Sequence, residues 1–413
     1  MTDRRWRTLI ACGISIAMLA ILFSSCSAGS PAHQAAVSRE QNMKVYPKIF
    51  ADYRQSSFQT QTTSAAGDQL WLTPNPDTSM ANVPRVIAVA AAGLIVQYGD
   101  RFRMIGLDGT VKWEMTNDPG VPAFVADTAI YYRATNRFLQ GVTFDKRTVL
   151  TDFAIPRCRD RGGVPMVQAR GDNHFLIQTF NAAPEVIVDS PPEQPDYNLM
   201  LMGPDGLTDW DWMREFEGTA LPALVTSDNV KAVLLNTTSL VTVFDIATGK
   251  TIDSFEVPKA GFLQASLDRR DRLVVALYGA KAQPQLDCYS LSGDLVWSCP
   301  LSPAERRAYR QPPAVDGDNR IAYIWGDTLL VVAEGTVLWR HAVPAGRFVP
   351  YVTVLGDNSL LLAAANALVH LDKDGVLLFE TYLKPEVAIT TPPVVDTAGR
   401  VYVGTTAGVH CFE

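Results

Sequence analysis

The chain has 413 residues, a net charge of −7 and a pI of about 5.4. That balance excludes a global nucleic-acid footprint. Six cysteines are too sparse for a disulfide-held scaffold, and a 47% hydrophobic share is ample for a large core.

Arg4, Arg5 and Arg7 precede an apolar run from Thr8 to Phe23. This reads as an export signal, and the run is short for a membrane span. Phe23-Ser24-Ser25-Cys26 resembles a lipoprotein signal, with Phe in place of the usual Leu. The resemblance implies cleavage after residue 25 and lipid attachment at Cys26. The competing reading is an ordinary signal peptide cut near Ala28 or Ala32. Residues 26–66 are expected to form a tether, with a flexible reach of about 35 Å. Apolar Val45, Tyr46, Ile49, Phe50 and Tyr53 give part of it something to pack with.

From residue 67 a phrase recurs: glycine, three residues, aromatic. The instances are Gly67–Trp71, Gly109–Trp113, Gly206–Trp210, Gly293–Trp297, Gly335–Trp339 and Gly375–Phe379. Phe153 and Phe255 fill the gaps, so the aromatics step by 42, 40, 57, 45, 42, 42 and 40 residues. A period near 40 means one supersecondary unit copied many times. Between the aromatics, short Val, Ile, Leu, Tyr and Phe runs alternate with Gly, Asp, Asn and Pro turns, the pattern of strands. The clearest unit runs from Pro312 to Val343 and reads as four antiparallel strands. Equivalent units span 84–116, 121–156, 163–216, 219–258, 260–302, 310–344 and 346–384.

An eighth unit begins at Ile389 and stops at Glu413, one strand short. Gly67 to Pro74 is an outer strand with no unit of its own. The two ends complement each other, and pairing them would remove the exposed edges. The expected fold is all-β: an eight-bladed β-propeller over 67–413, with the N-terminal strand completing the last blade. The aromatics are read as structural, packing about 200 Å² each between sheets.

GLDGTVKWEM, YSLSGDLVWS and PPVVDTAGRVYVGTTAGVHCFE resemble the pyrroloquinoline quinone (PQQ) type of propeller repeat. In architecture the chain also resembles the BamB-like scaffold lipoproteins of outer-membrane β-barrel assembly. A WD40 ring is disfavoured, because Trp210-Asp211 is the one Trp-Asp pair. Kelch is disfavoured because Gly162-Gly163 is the one double glycine.

Chemistry-bearing patterns are sparse. PQQ dehydrogenases resemble longer chains with an adjacent Cys pair, an acidic calcium site and a catalytic Asp, and no adjacent Cys pair exists here. No catalytic residue, metal ligand or cofactor is assigned. His370 and His410 fall one register position apart on neighbouring units, so they face opposite sides of a strand. Cys288 and Cys299 flank the Ser292-Gly293 turn and are the candidate disulfide pair. Opposed strand positions seldom meet disulfide geometry, so two buried thiols are the competing reading.

Blade three carries an insertion at 181–198, and the loops joining blades are arginine-rich. Arg157, Arg159 and Arg161 precede blade three, Arg306, Arg307 and Arg310 precede blade six, and Arg347 precedes blade seven. These seven arginines are candidates for docking an acidic partner segment or anionic polymer.

The expected function is a non-catalytic, exported, lipid-anchored scaffold facing the periplasm or cell exterior. Its partner is an envelope protein, and the ring itself is monomeric. The alternatives are a small-molecule or glycan sensor using the central channel, and a PQQ-dependent dehydrogenase.

Overall fold

The computed structural model describes residues 59, 61–63 and most of 66–413. Residues 1–58, 77–82, 117–121, 126–128, 144–148, 155–165, 170–174, 181–196, 203–209, 217–220, 303–310 and 347–348, with several shorter stretches, lie outside the described residues. The described strands form eight four-stranded antiparallel sheets. Seven take their strands consecutively. Blade six, for example, runs Ala314–Val315, Ile321–Trp325, Thr328–Ala333 and Thr336–Ala342. Blade eight takes Val394–Val395, Val401–Gly404 and Gly408–Phe412 from the C-terminus and Gln69–Pro74 from the N-terminus. Trp71 pairs with Cys411 and Leu72 with His410. The ends meet again where Asp68 and Glu413 exchange backbone hydrogen bonds of 3.1 and 2.9 Å.

The core lies between sheets. One apolar cluster joins blades six and seven, around Ile324, Val331, Leu362 and Val369. Another joins seven and eight, around Leu361, Leu368, Val401 and Phe412. A third joins eight and one, around Tyr402, Val409, Leu94 and Ile105. A middle strand is therefore covered on both faces, which explains continuous apolar runs such as IAYIW and LLLAA. Outer strands alternate instead, as in Thr336–Ala342.

The repeated glycine carries more than a turn. An added Cβ on Gly375 would sit 2.8 Å from Trp339 Cδ2, in the preceding blade, and one on Gly109 would sit 2.8 Å from Trp71 Cδ2. Phe255 meets Gly293, Trp297 meets Gly335 and Phe379 meets Gly67 in the same way. Each of these five aromatics thus packs on the glycine of the next blade. The series passes through the N-terminal strand without a break, from Phe379 to Gly67 and from Trp71 to Gly109.

Strand register corrects three of the aromatics. In blades one, five, six, seven and eight a β-bulge falls immediately before Trp113, Trp297, Trp339, Phe379 and Trp71. In blade three the bulge precedes Trp212, which pairs with Leu201, so Trp212 holds the repeat position and Trp210 does not. The cause is loop length: residues 203–209 separate the paired strands, two more than 106–110 in blade one. In blades two and four the position belongs to Thr151 and Asp253, and Phe153 and Phe255 stand two residues further on. Phe255 still reaches the neighbouring glycine, because positions two apart share a face.

The tether boundary also moves. Gln59 is buried and belongs to the folded body. Its N–H donates to Val354 O at 2.7 Å in blade seven, and its Nε2 donates to Pro393 O at 3.1 Å beside blade eight. Its Oε1 accepts the Val395 N–H at 2.9 Å. Gly356 N–H donates to Gln61 O at 2.9 Å, and Thr63 Oγ1 donates to Gly399 O. The expected start at Gly67 is therefore eight residues too late.

Candidate interaction face

Antiparallel blades give the molecule two unlike faces. One carries the turns between first and second strands and between third and fourth. The other carries the second-to-third turns and the chain joining one blade to the next.

The turn face is tightly bonded. Blades five, six and eight carry an Asp-x-x-x-Arg turn: Asp268/Arg272, Asp316/Arg320 and Asp396/Arg400. In blade six, Asp316 Oδ1 accepts the N–H groups of Asp318 (2.9 Å) and Arg320 (2.7 Å), while Oδ2 receives Arg320 Nε. Burial pushes the Asp316 carboxyl up, against the pull of those hydrogen bonds and of Arg320. Arg320 Nη1 then donates to Lys373 O in blade seven at 2.9 Å, and Trp339 Nε1 donates to the same oxygen at 3.2 Å. Leu107 O receives Arg400 and Trp71 alike, at 3.2 and 3.3 Å. Blade five departs from this. Arg272 reaches the Glu334 carboxylate instead, and Trp297 Nε1 is buried without a partner among the described residues. The reason is the tight Glu334-Gly335 turn, with φ of 45° and 80°, which replaces the longer loop used elsewhere. The Asp-x-x-x-Arg spacing was a readable signal that the sequence reading passed over.

Cys288, Cys299 and Cys411 are buried free thiols, and burial pushes Cys288 and Cys411 up to about 12. Such thiols are poor nucleophiles. The expected disulfide candidate does not form: Cys288 pairs with Trp297, and Cys299 with Leu286, which sets the two cysteines diagonally. Diagonal neighbours lie about 7–8 Å apart, beyond normal disulfide reach. His370 and His410 are separated in function as well as register. One bonds Ser359 Oγ at 2.9 Å and the other Gln69 Oε1 at 2.8 Å. Burial lowers both, His410 to about 4. Among the described residues no group of three or more His, Cys, Asp or Glu could hold a metal ion.

The arginine candidates lie elsewhere. Arg157, Arg159, Arg161, Arg306, Arg307, Arg310 and Arg347, with most of the 181–198 insertion, fall outside the described residues. Cys26 does too. The strands flanking these arginine segments and the insertion end or begin on the face opposite the turns: Ala154 and Met166, Pro300 and Ala314, Ala342 and Tyr351, Phe180 and Tyr197.

Comparison with known proteins bears on the fold alone. Quinohemoprotein alcohol dehydrogenase from Comamonas testosteroni superposes with a TM-score of 0.63 at 11% identity, covering 92% of this chain and 83% of that one. BamB from Moraxella catarrhalis gives 0.55 at 13% identity, covering 84% and 99%. A europium-containing methanol dehydrogenase gives 0.60 at 10% identity, covering 91% and 98%. The chain has the β-propeller fold of these proteins. No family model and no curated protein matches the sequence of this propeller. These neighbours include enzymes. The sequence has no adjacent cysteine pair, and the described residues show no acidic cluster of calcium type.

Proposed function

We propose that the chain is an exported, membrane-tethered, non-catalytic propeller that docks an envelope protein through the face carrying the blade-joining loops. The observation that carries this reading is the route of the N-terminal segment. Gln59, Gln61 and Thr63 bond to Val354, Gly356 and Gly399, at the first-to-second-strand turns of blades seven and eight. A tether running back from Gln59 to a lipid on Cys26 starts on the turn face. The opposite face, with the insertion and the seven arginines, is then left clear of the anchor. Guanidinium groups on several neighbouring loops suit the carboxylates of an acidic partner segment. Multiple acyl chains hold such a ring stably at a bilayer, where a single chain holds weakly.

Co-purification from the native host tests this reading. The protein is expected to retain an envelope partner, and the triple Arg157→Ala, Arg159→Ala, Arg161→Ala variant is expected to lose it while folding normally. Full retention by the variant counts against the docking face. Turnover of an alcohol after addition of PQQ and calcium would refute the non-catalytic assignment.

A further inference from the structure

The bulge before each repeat aromatic pushes one residue out of the ladder near the turn-face end of the outer strand. On five consecutive blades that residue is a branched aliphatic: Ile252, Val296, Leu338, Leu378 and, through the N-terminal strand, Leu70. All five are exposed, by 50, 45, 49, 55 and 47%. Blade two also places an aliphatic, Leu150, at this position, whereas blades one and three place Lys112 and Asp211 there. Packing does not explain the aliphatics, since a bulged residue lacks a cross-strand partner and aims outward. Edge strands ordinarily carry charge to deter pairing. Yet Gln69–Pro74 and Leu295–Pro300 contain no charged residue, and Thr336–Ala342 and Leu377–Tyr382 contain one Lys, Arg, Asp or Glu each, Arg340 and Glu380, while Thr251–Glu256 contains two, Asp253 and Glu256.

We infer that these five aliphatic knobs seat the turn-face rim of blades four to eight on a lipid bilayer surface. Three observations select a bilayer as the occupant. The knobs stand on the face where the described N-terminal segment joins the ring. That junction, at blades seven and eight, lies within the arc. The residues between Cys26 and Gln59 reach about 30 Å if flexible, which keeps the rim close to an anchored lipid. Exposed Asp294 and Asp374 flank the knobs along with exposed Lys250 and Lys373, so the rim's charge is mixed and the aliphatic knobs carry the contact. Branched side chains entering the headgroup boundary gain by the area they bury. The inference rests on the membrane-tethered reading above and adds an orientation to it: turn face down, loop face away from the bilayer.

The test uses the full lipidated chain in phosphatidylcholine vesicles, in a Cys158→Ser background. An environment-sensitive fluorophore is placed by Leu338→Cys or Leu378→Cys, and at control sites by Lys112→Cys or Glu256→Cys. Brominated lipids serve as quenchers. Labels at 338 and 378 are expected to be quenched at least threefold more than those at 112 and 256. A chain that floats with the vesicles but shows equal quenching at all four sites overturns the rim contact while leaving the tether intact. A chain that does not float overturns the anchor on which the inference rests. Shielding of the 338 label without vesicles, accompanied by a dimer mass, would assign the rim to a second copy and overturn the inference.

Discussion

At the residue scale, Gly375 shows how one missing side chain serves two neighbours. Its φ of 84° closes the turn, and its bare Cα leaves room for Trp339 of the blade before it. A methyl group there meets left-handed backbone strain of about 1–2 kcal/mol. It also meets an indole at 2.8 Å, and overpacking of that kind costs about 1–3 kcal/mol. Gly375→Ala is expected to lower unfolding stability by about 2–5 kcal/mol in urea titration, since the two costs add at one site. A loss below about 0.5 kcal/mol, the range of ordinary surface substitutions, would show that the glycine is needed for neither. Glycine and aromatic were both legible from their spacing. Their contact was not, because the partner of each aromatic is a glycine about one repeat away, and spacing inside one repeat does not say which neighbour it touches.

At the element scale the critical joint is the one between the chain's ends. His410 stands on the strand paired with Gln69–Pro74, and its Nδ1–H donates to Gln69 Oε1 at 2.8 Å. Its Nε2 is buried without a partner, so protonation there would place a charged N–H in an apolar site. Burial accordingly lowers its pKa from 6.5 to about 4. Between those values the unfolded chain takes up a proton that the folded chain refuses. The stability contributed by neutral His410 is therefore complete above about pH 6.5 and declines as pH falls toward 4, each unit of displacement being worth about 1.4 kcal/mol. His370 is displaced in the same direction, also by burial. The urea midpoint is expected to be lower at pH 5 than at pH 7.5, and His410→Gln is expected to reduce that difference. An unchanged pH dependence in the variant would remove His410 from the account. The strand exchange itself was legible, because an orphan strand at one end matched a missing strand at the other. The bulges and the true register of blade three were not. A loop two residues longer preserves the Gly-to-Trp spacing while shifting the pairing, so Trp210 looked right and Trp212 is right. Gln59 was hidden because its bonds reach residues more than 290 positions away, to which a local reading is blind.

At the scale of the whole molecule, the ring has two unlike sides. The turn face is locked by Asp–Arg pairs, and the N-terminal segment bonds to it. On the opposite face end the strands that flank the segments differing most between repeats, the 181–198 insertion and the arginine-bearing joins. Fold class followed from the period, but this sidedness needed the N-terminal segment to be placed, since a repeat pattern is the same whichever face the tether leaves. Lysines sample both faces and make the assignment measurable. Lys384 follows an outer strand on the loop face, and the strands that bracket Lys259 (Glu256 and Phe262) and Lys281 (Gly279 and Ala282) end or begin on that face, whereas Lys112, Lys250 and Lys373 lie in or beside turns on the other. Amine crosslinking in the native host, read by mass spectrometry, therefore decides between the faces. Docking through the loop face requires that crosslinks to an envelope partner fall on Lys259, Lys281 and Lys384. Partner crosslinks confined to Lys112, Lys250 and Lys373 would contradict it.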